Sequence, residues 1–111
     1  MLSSMVPDPE NILPQAAAWH ADGRPTVIAT VVETWGSSPR PCGSQMALTA
    51  DGAMAGSVSG GCIEAAVVEA ARMTFATGVP QLLEYAVSND RAWEVGLACG
   101  GRLSVFLERI G

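Results

Sequence analysis

Apolar and polar positions change period several times along this chain, and each change marks an element. Asp8 or Asn11 can cap a first helix that runs to about Ala21, with Pro14 tolerated in the first turn. Asp22-Gly23 stops it and Pro25 keeps it stopped. Thr26 to Thr34 is β-branched and almost continuously apolar, the pattern of a central strand buried on both faces. Trp35 to Gly43 holds two prolines and two glycines, which rules out regular structure there. Gln45 to Thr49 and Ala53 to Val58 flank Asp51-Gly52, a strong hairpin signal.

After Ser59-Gly60-Gly61-Cys62 the period becomes helical to about Ala76, with Ile63, Ala66, Val67, Ala70 and Ala71 on one stripe. Gly78 and Pro80 end that helix. Gln81 to Val87 reads as a strand and Ser88 to Gly101 as a long loop. Arg102 to Glu108 is a last strand with Leu103, Val105 and Leu107 on one face. The hairpin strand, the helix after it and the 81–87 strand form a β-α-β unit. The fold class is therefore α/β: one domain, a mixed sheet of about five strands, and two main helices packed on it.

Composition narrows the function classes. The chain has 111 residues, 49% of them hydrophobic, which suits a single globular domain. Its apolar run at Val27 to Val32 is too short to span a bilayer, which takes about 20 residues. Met1 to Pro9 lacks the basic-then-apolar order of an export signal, so a cytoplasmic location is expected. The net charge is −5, with six arginines and no lysine. An acidic chain without a basic cluster is a poor fit to nucleic acid or an anionic membrane. Without lysine there is no P-loop lysine and no Schiff base. Cys42, Cys62 and Cys99 are far apart, which favours reduced thiols over a disulfide framework.

Three loops could carry chemistry. In Gly56 to Glu64 a strand hands over to a helix. Gly60 and Gly61 let the backbone approach a ligand, and the new helix favours an anion. Ser59 can cap that helix or bond a ligand oxygen. Cys62, read as part of the first turn, is biased toward thiolate by the helix dipole. Glu64 is either a surface acid suited to the dipole or a hydrogen-bonding partner for a ligand. The bland account makes Gly60-Gly61 a tight turn and Cys62 a small buried residue. Cys99, Gly100 and Gly101 repeat the same grammar before the last strand. Ser37, Ser38 and Arg40 offer two hydroxyls and a guanidinium after the central strand, or else a solvated turn. Loops at the ends of parallel strands flanking a crossover helix would meet at one edge.

Other residues are weaker candidates. His20, the single histidine, falls at the end of the first helix, where a dipole role is expected. A zinc set of His20, Cys42, Cys62 and Cys99 has no supporting spacing. Trp19, Trp93 and Tyr85 read as core or partner-surface aromatics.

Thr34-Trp35-Gly36-Ser37-Ser38-Pro39-Arg40-Pro41, Gly56-Ser57-Val58-Ser59-Gly60-Gly61-Cys62-Ile63-Glu64 and Val95-Gly96-Leu97-Ala98-Cys99-Gly100-Gly101 together resemble the signatures of the XdhC/CoxI family. The resemblance runs from about Ala16 to Glu108. It implies a maturation chaperone, not a turnover enzyme, that binds molybdenum cofactor (molybdopterin) transiently and inserts it into molybdenum hydroxylases. Those clients are of the xanthine dehydrogenase or carbon monoxide dehydrogenase type.

Carried onto this chain, the resemblance places Ser37, Ser38, Arg40, Ser59, Gly60, Gly61, Cys62, Glu64, Cys99, Gly100 and Gly101 at the cofactor site. Cys42 is outside the signature. The implied partners are a molybdenum hydroxylase apo-enzyme and a cysteine desulfurase, and the open edges expected of a small sheet add a second copy in a homodimer. Typical members continue into a Rossmann-like domain. This sequence shows one XdhC/CoxI-like domain over residues 1–111, with a core of about 9–109 and no dinucleotide fingerprint. A separate Rossmann-domain chain is therefore a further candidate partner. Two other functions stay open at this point: a sulfur carrier with a persulfide on Cys62, and an assembly domain with structural cysteines.

Overall fold

The computed structural model describes residues 11–35, 42–58, 63–86 and 102–110. Helix α1 (Leu13–Ala21) starts after Asn11, whose Oδ1 accepts a hydrogen bond from the Leu13 amide at 3.2 Å. Pro14 lies in the first turn, where a missing N–H is harmless. Strand β1 (Thr26–Trp35) follows, then β2 (Gln45–Thr49), β3 (Met54–Gly56), helix α2 (Glu64–Thr77), β4 (Gln81–Ala86) and β5 (Arg102–Arg109). The expected five strands and two helices are all present, within a few residues of the ends read from sequence. No helix among the described residues is long and apolar enough to cross a membrane.

The strands form one open sheet in the order β3-β2-β1-β5-β4. Strand β1 is central, as its almost continuous apolar run requires. Val27, Ala29 and Val31 face α2 and join Met46, Leu48, Leu103, Val105, Leu107, Val67 and Ala71 in the main core. Ile28 faces the other way and packs with Ala47 against Ile12, Ala16 and Trp19. Fully burying each such valine or leucine stabilises by about 1.5–3 kcal/mol. The hydrophobic effect thus fixes which strand sits in the middle and puts one helix on each face.

Every neighbouring strand pair is antiparallel. The parallel pair expected on either side of α2 does exist as a direction: β3 and β4 run the same way. They are not hydrogen-bonded neighbours, because they lie at opposite edges of the sheet. The hairpin keeps β3 beside β2, and the apolar β1 and β5 take the centre. Helix α2 therefore crosses the whole face between one edge and the other.

Two details shape the sheet beyond what periodicity shows. The register of β1 on β5 slips between Val31 and Glu33, a bulge that leaves Val32 as the extra residue. Pairing of β1 with β2 ends at Thr30↔Gln45, so the last residues of β1 pair with β5 alone. At Gly56 the backbone has φ +80°, and an added Cβ would lie 2.4 Å from the Gln45 carbonyl oxygen and 2.5 Å from Ile12 Cγ2. Only glycine lets the chain leave β3 there.

Polar ties close the opposite end of the sheet. In the β2–β3 turn, Asp51 accepts from the Thr49 hydroxyl, and both its carboxylate oxygens accept from Arg24 Nη2 at 3.1 Å. Arg24 also lies over the Trp19 ring, 5.6 Å from its centroid. Gly78 ends α2 in the left-handed region, and Arg109 Nη1 donates to the Phe75 carbonyl at 2.8 Å. Gln81 Nε2 donates to Thr74 Oγ1 at 2.7 Å and to the Ala70 carbonyl at 3.0 Å, tying β4 to α2.

Gly56→Ala is expected to lower stability by about 2–5 kcal/mol, from left-handed strain of about 1–2 plus overpacking of about 1–3. Gly52→Ala, with φ +103° and nothing within 4 Å of the added Cβ, should show the strain alone. Urea unfolding of both variants checks the difference. The Thr49 hydroxyl first, and Arg24 second, hold the Asp51 pKa below the usual aspartate value. Folding therefore favours the ionised form. The stabilisation is complete above the ordinary aspartate range and is lost as the pH falls through the folded value. Thermal unfolding of wild type and Asp51→Asn should differ at neutral pH and converge in acid.

Candidate functional site

Strand direction decides where the three candidate loops begin. Strands β1, β3 and β4 end, and β2 and β5 begin, toward the same end of the sheet. Each of the connections 36–41, 57–63 and 87–101 therefore begins at that end. Trp35, Arg102 and Ala86 are directly paired in one row across β1, β5 and β4. At the usual strand spacing the row spans about 10 Å. So the chain leaves β1, leaves β4 and enters β5 within that distance.

The end is stepped. Gly56 pairs with Met46, which shares the row of Ala29 and Leu107. The residues from Leu107 back to Arg102 put this row about 17 Å below the row of Trp35. The first turns of α2 bridge the step. Glu64 Oε2 accepts from Ser57 Oγ at 2.7 Å and from the Val58 amide at 3.0 Å, just past β3. Two residues on, the Ala66 carbonyl accepts from the Tyr85 hydroxyl on β4 at 3.5 Å. Partial burial beneath α2 raises the Tyr85 pKa.

Of the residues singled out in the sequence, Glu64 is described, as the first residue of α2. It is half-buried, and its carboxylate faces back toward the strand it follows. Ser37, Ser38 and Arg40 fall in the connection from β1 to β2. Ser59, Gly60, Gly61 and Cys62 fall between β3 and α2, and Cys99, Gly100 and Gly101 between β4 and β5. All ten lie outside the described residues, as do Arg91 and Trp93. The described helix opens at Glu64 with Ile63 as N-cap at φ −124°, so its first turn begins two residues after Cys62. The first-turn placement read from periodicity is corrected by that offset.

Two residues given no role of their own in the sequence reading stand out in the structure. Ser57 belongs to the strand-to-helix motif, yet nothing in its spacing announces that it hydrogen-bonds an acid seven residues on. Cys42 is a free, exposed thiol at the same end of the sheet, with its Sγ 4.0 Å from Thr34 Oγ1. His20 is elsewhere: it lines a shallow cleft with Gly23, Arg24, Pro25, Arg109 and Ile110 at the opposite end of the sheet. Among the described residues, no group of three His, Cys, Asp or Glu could hold a metal ion. Trp19 is a core residue, as expected.

The family model for the XdhC and CoxI family matches residues 19–86. This chain belongs to the XdhC and CoxI family. It is 34% identical over 93% of its length to the protein named molybdenum cofactor insertion chaperone PaoD of Escherichia coli K12. It is 32% identical over 80% of its length to a protein of Bacillus subtilis 168 named as a probable xanthine dehydrogenase subunit. A crystal structure described as a xanthine dehydrogenase from Bacillus halodurans superposes with a TM-score of 0.75 and 31% identity over 88% of this chain. The chain spans 32%, 28% and 30% of those proteins.

Cys42 is expected to react with iodoacetamide in the folded protein, because exposure gives the reagent access. Peptide mass spectrometry after brief labelling without denaturant reads this directly. A Cys42 that labels only on unfolding would contradict its exposure.

Proposed function

We propose that this chain is the cofactor-handling domain of a molybdenum cofactor insertion chaperone serving a molybdenum hydroxylase of the xanthine dehydrogenase type. The observation that carries this reading is the 34% identity, over 93% of the chain, to a protein named for that role. The relative named as a probable part of xanthine dehydrogenase supports the client class.

The chemistry at the stepped end suits such a ligand. Molybdenum cofactor is an anionic, sulfur-rich pterin that supplies a redox-active molybdenum centre to its client. At this end the described residues offer the exposed Cys42 thiol, the start of α2 and the Arg102 guanidinium, which also meets Glu84 at 3.5 Å. A thiol matches a soft metal, and guanidinium and helix N-termini match phosphate. Arg24 and Arg72 pair with Asp51 and Glu69, and Arg109 is held by the end of α2. The sequence places the two remaining arginines, Arg40 and Arg91, in connections that open at this end.

In this reading Gly60, Gly61, Gly100 and Gly101 allow close backbone approach. Ser37, Ser38, Arg40 and Ser59 bind the anionic groups. Cys62 and Cys99 supply soft ligands to the metal–sulfur centre, and Glu64 stands at the base of the Cys62 segment. The domain holds the cofactor for delivery to the apo-hydroxylase and does not turn it over.

The test is anaerobic incubation of the chain with molybdenum cofactor, removal of free ligand, and quantification of the pterin as its fluorescent oxidation product. Wild type should retain cofactor. Cys62→Ala and Cys99→Ala should each weaken retention by roughly tenfold or more, the scale on which even supporting residues of a metal site act. Retention unchanged in both variants would remove the thiol role. No retention by wild type would remove cofactor binding by this chain alone.

A further inference from the structure

The Val58 amide frames the question. Val58 is fully buried, so its N–H cannot turn to water and needs a partner within the protein. Glu64 supplies one at 3.0 Å through the same Oε2 that takes the Ser57 hydroxyl at 2.7 Å. These three residues stand on either side of residues 59–62. Ser57 is itself anchored to the sheet, its amide donating to the Gln45 carbonyl at 3.2 Å. Ile63, the N-cap of α2, and Val58 both belong to the main core. Apolar burial and a pair of hydrogen bonds to one carboxylate oxygen therefore hold the two ends of this short segment together.

We infer that Glu64 is a positioning residue: its carboxylate fixes the separation of the two ends of the 59–62 segment, and it acts on a bound ligand through that segment. The inference rests on the functional reading above in placing Cys62 at the ligand, but its structural half does not. Two requirements follow. The first is an acceptor oxygen at position 64, because both bonds are accepted there. The second is the hydroxyl of Ser57, which supplies one of them. A negative charge at position 64 is not required. Glu64→Gln keeps one acceptor oxygen at the same reach, while it removes the charge and turns the second oxygen into an NH2 donor. Glu64→Ala removes the acceptor and strands a buried donor. A carboxylate that touched the cofactor itself would be sensitive to both substitutions.

The experiment uses the full chain with Glu64→Ala, Glu64→Gln and Ser57→Ala, and three readouts. Hydrogen exchange at the Val58 amide should speed up about tenfold in Glu64→Ala, the scale of one lost hydrogen bond, and much less in Glu64→Gln. The rate of Cys62 alkylation by iodoacetamide should change in Glu64→Ala, return toward wild type in Glu64→Gln, and lie between them in Ser57→Ala. Cofactor retention should follow the same order. Should Glu64→Ala fail to fold, the comparison of Ser57→Ala with Glu64→Gln carries the same order. Val58 protection and Cys62 reactivity that stay at wild-type values in Glu64→Ala would overturn the inference. So would a Glu64→Gln variant that keeps Val58 protection but loses cofactor as fully as Glu64→Ala, since the charge would then meet the ligand. If wild type retains no cofactor, the functional reading falls, while exchange and alkylation still decide the role of Glu64.

Discussion

Two-sided burial of β1 is the constraint on which the rest of this structure depends. Val27, Ala29 and Val31 on one face and Ile28 on the other must all leave water. A strand with that demand takes the middle of a sheet and needs a cover on each face. Helix α1 supplies one and α2 the other. With β1 central and hydrogen-bonded to β2 and β5, the short hairpin strand β3 is pushed to one edge and β4 to the other. The long crossing of α2 is a consequence of that arrangement.

The same crossing gives the candidate site its shape. A helix that starts near β3 and reaches across to β4 joins the lower and upper levels of the stepped sheet end. The β1 bulge acts at the same place. It comes where pairing with β2 stops, so the last residues of β1 are committed to β5 and end at the upper level. Glu64 fixes the start of α2 against the strand before it, through the bonds its carboxylate accepts from Ser57 and Val58.

Charge is distributed in a way that suits this division. The opposite end of the sheet is closed by internal contacts, with Arg24 on Asp51 and Trp19, and Arg109 on the last turn of α2. Those arginines hold turns in place. At the stepped end, the described Arg102 instead meets Glu84 at 3.5 Å, in the row that joins β1, β5 and β4.

The sequence by itself determined the elements, because each depends on local periods and stops. The β-branched run at 26–34 could only be a buried strand, Asp51-Gly52 a turn, and Gly78 the end of a helix, and each is so. It also carried the family, since three ordered motifs survive in one dimension. Tertiary structure decided which strands are neighbours, because adjacency depends on how apolar faces share two helices. It decided the stagger of the sheet end, which follows from β2 pairing with β1 only as far as Thr30 while β5 pairs with it as far as Trp35. It decided the partner of Glu64 as well. Ser57 and Glu64 are seven residues apart, and only the turn forced at Gly56, where any side chain would strike Gln45 and Ile12, brings them within hydrogen-bond reach.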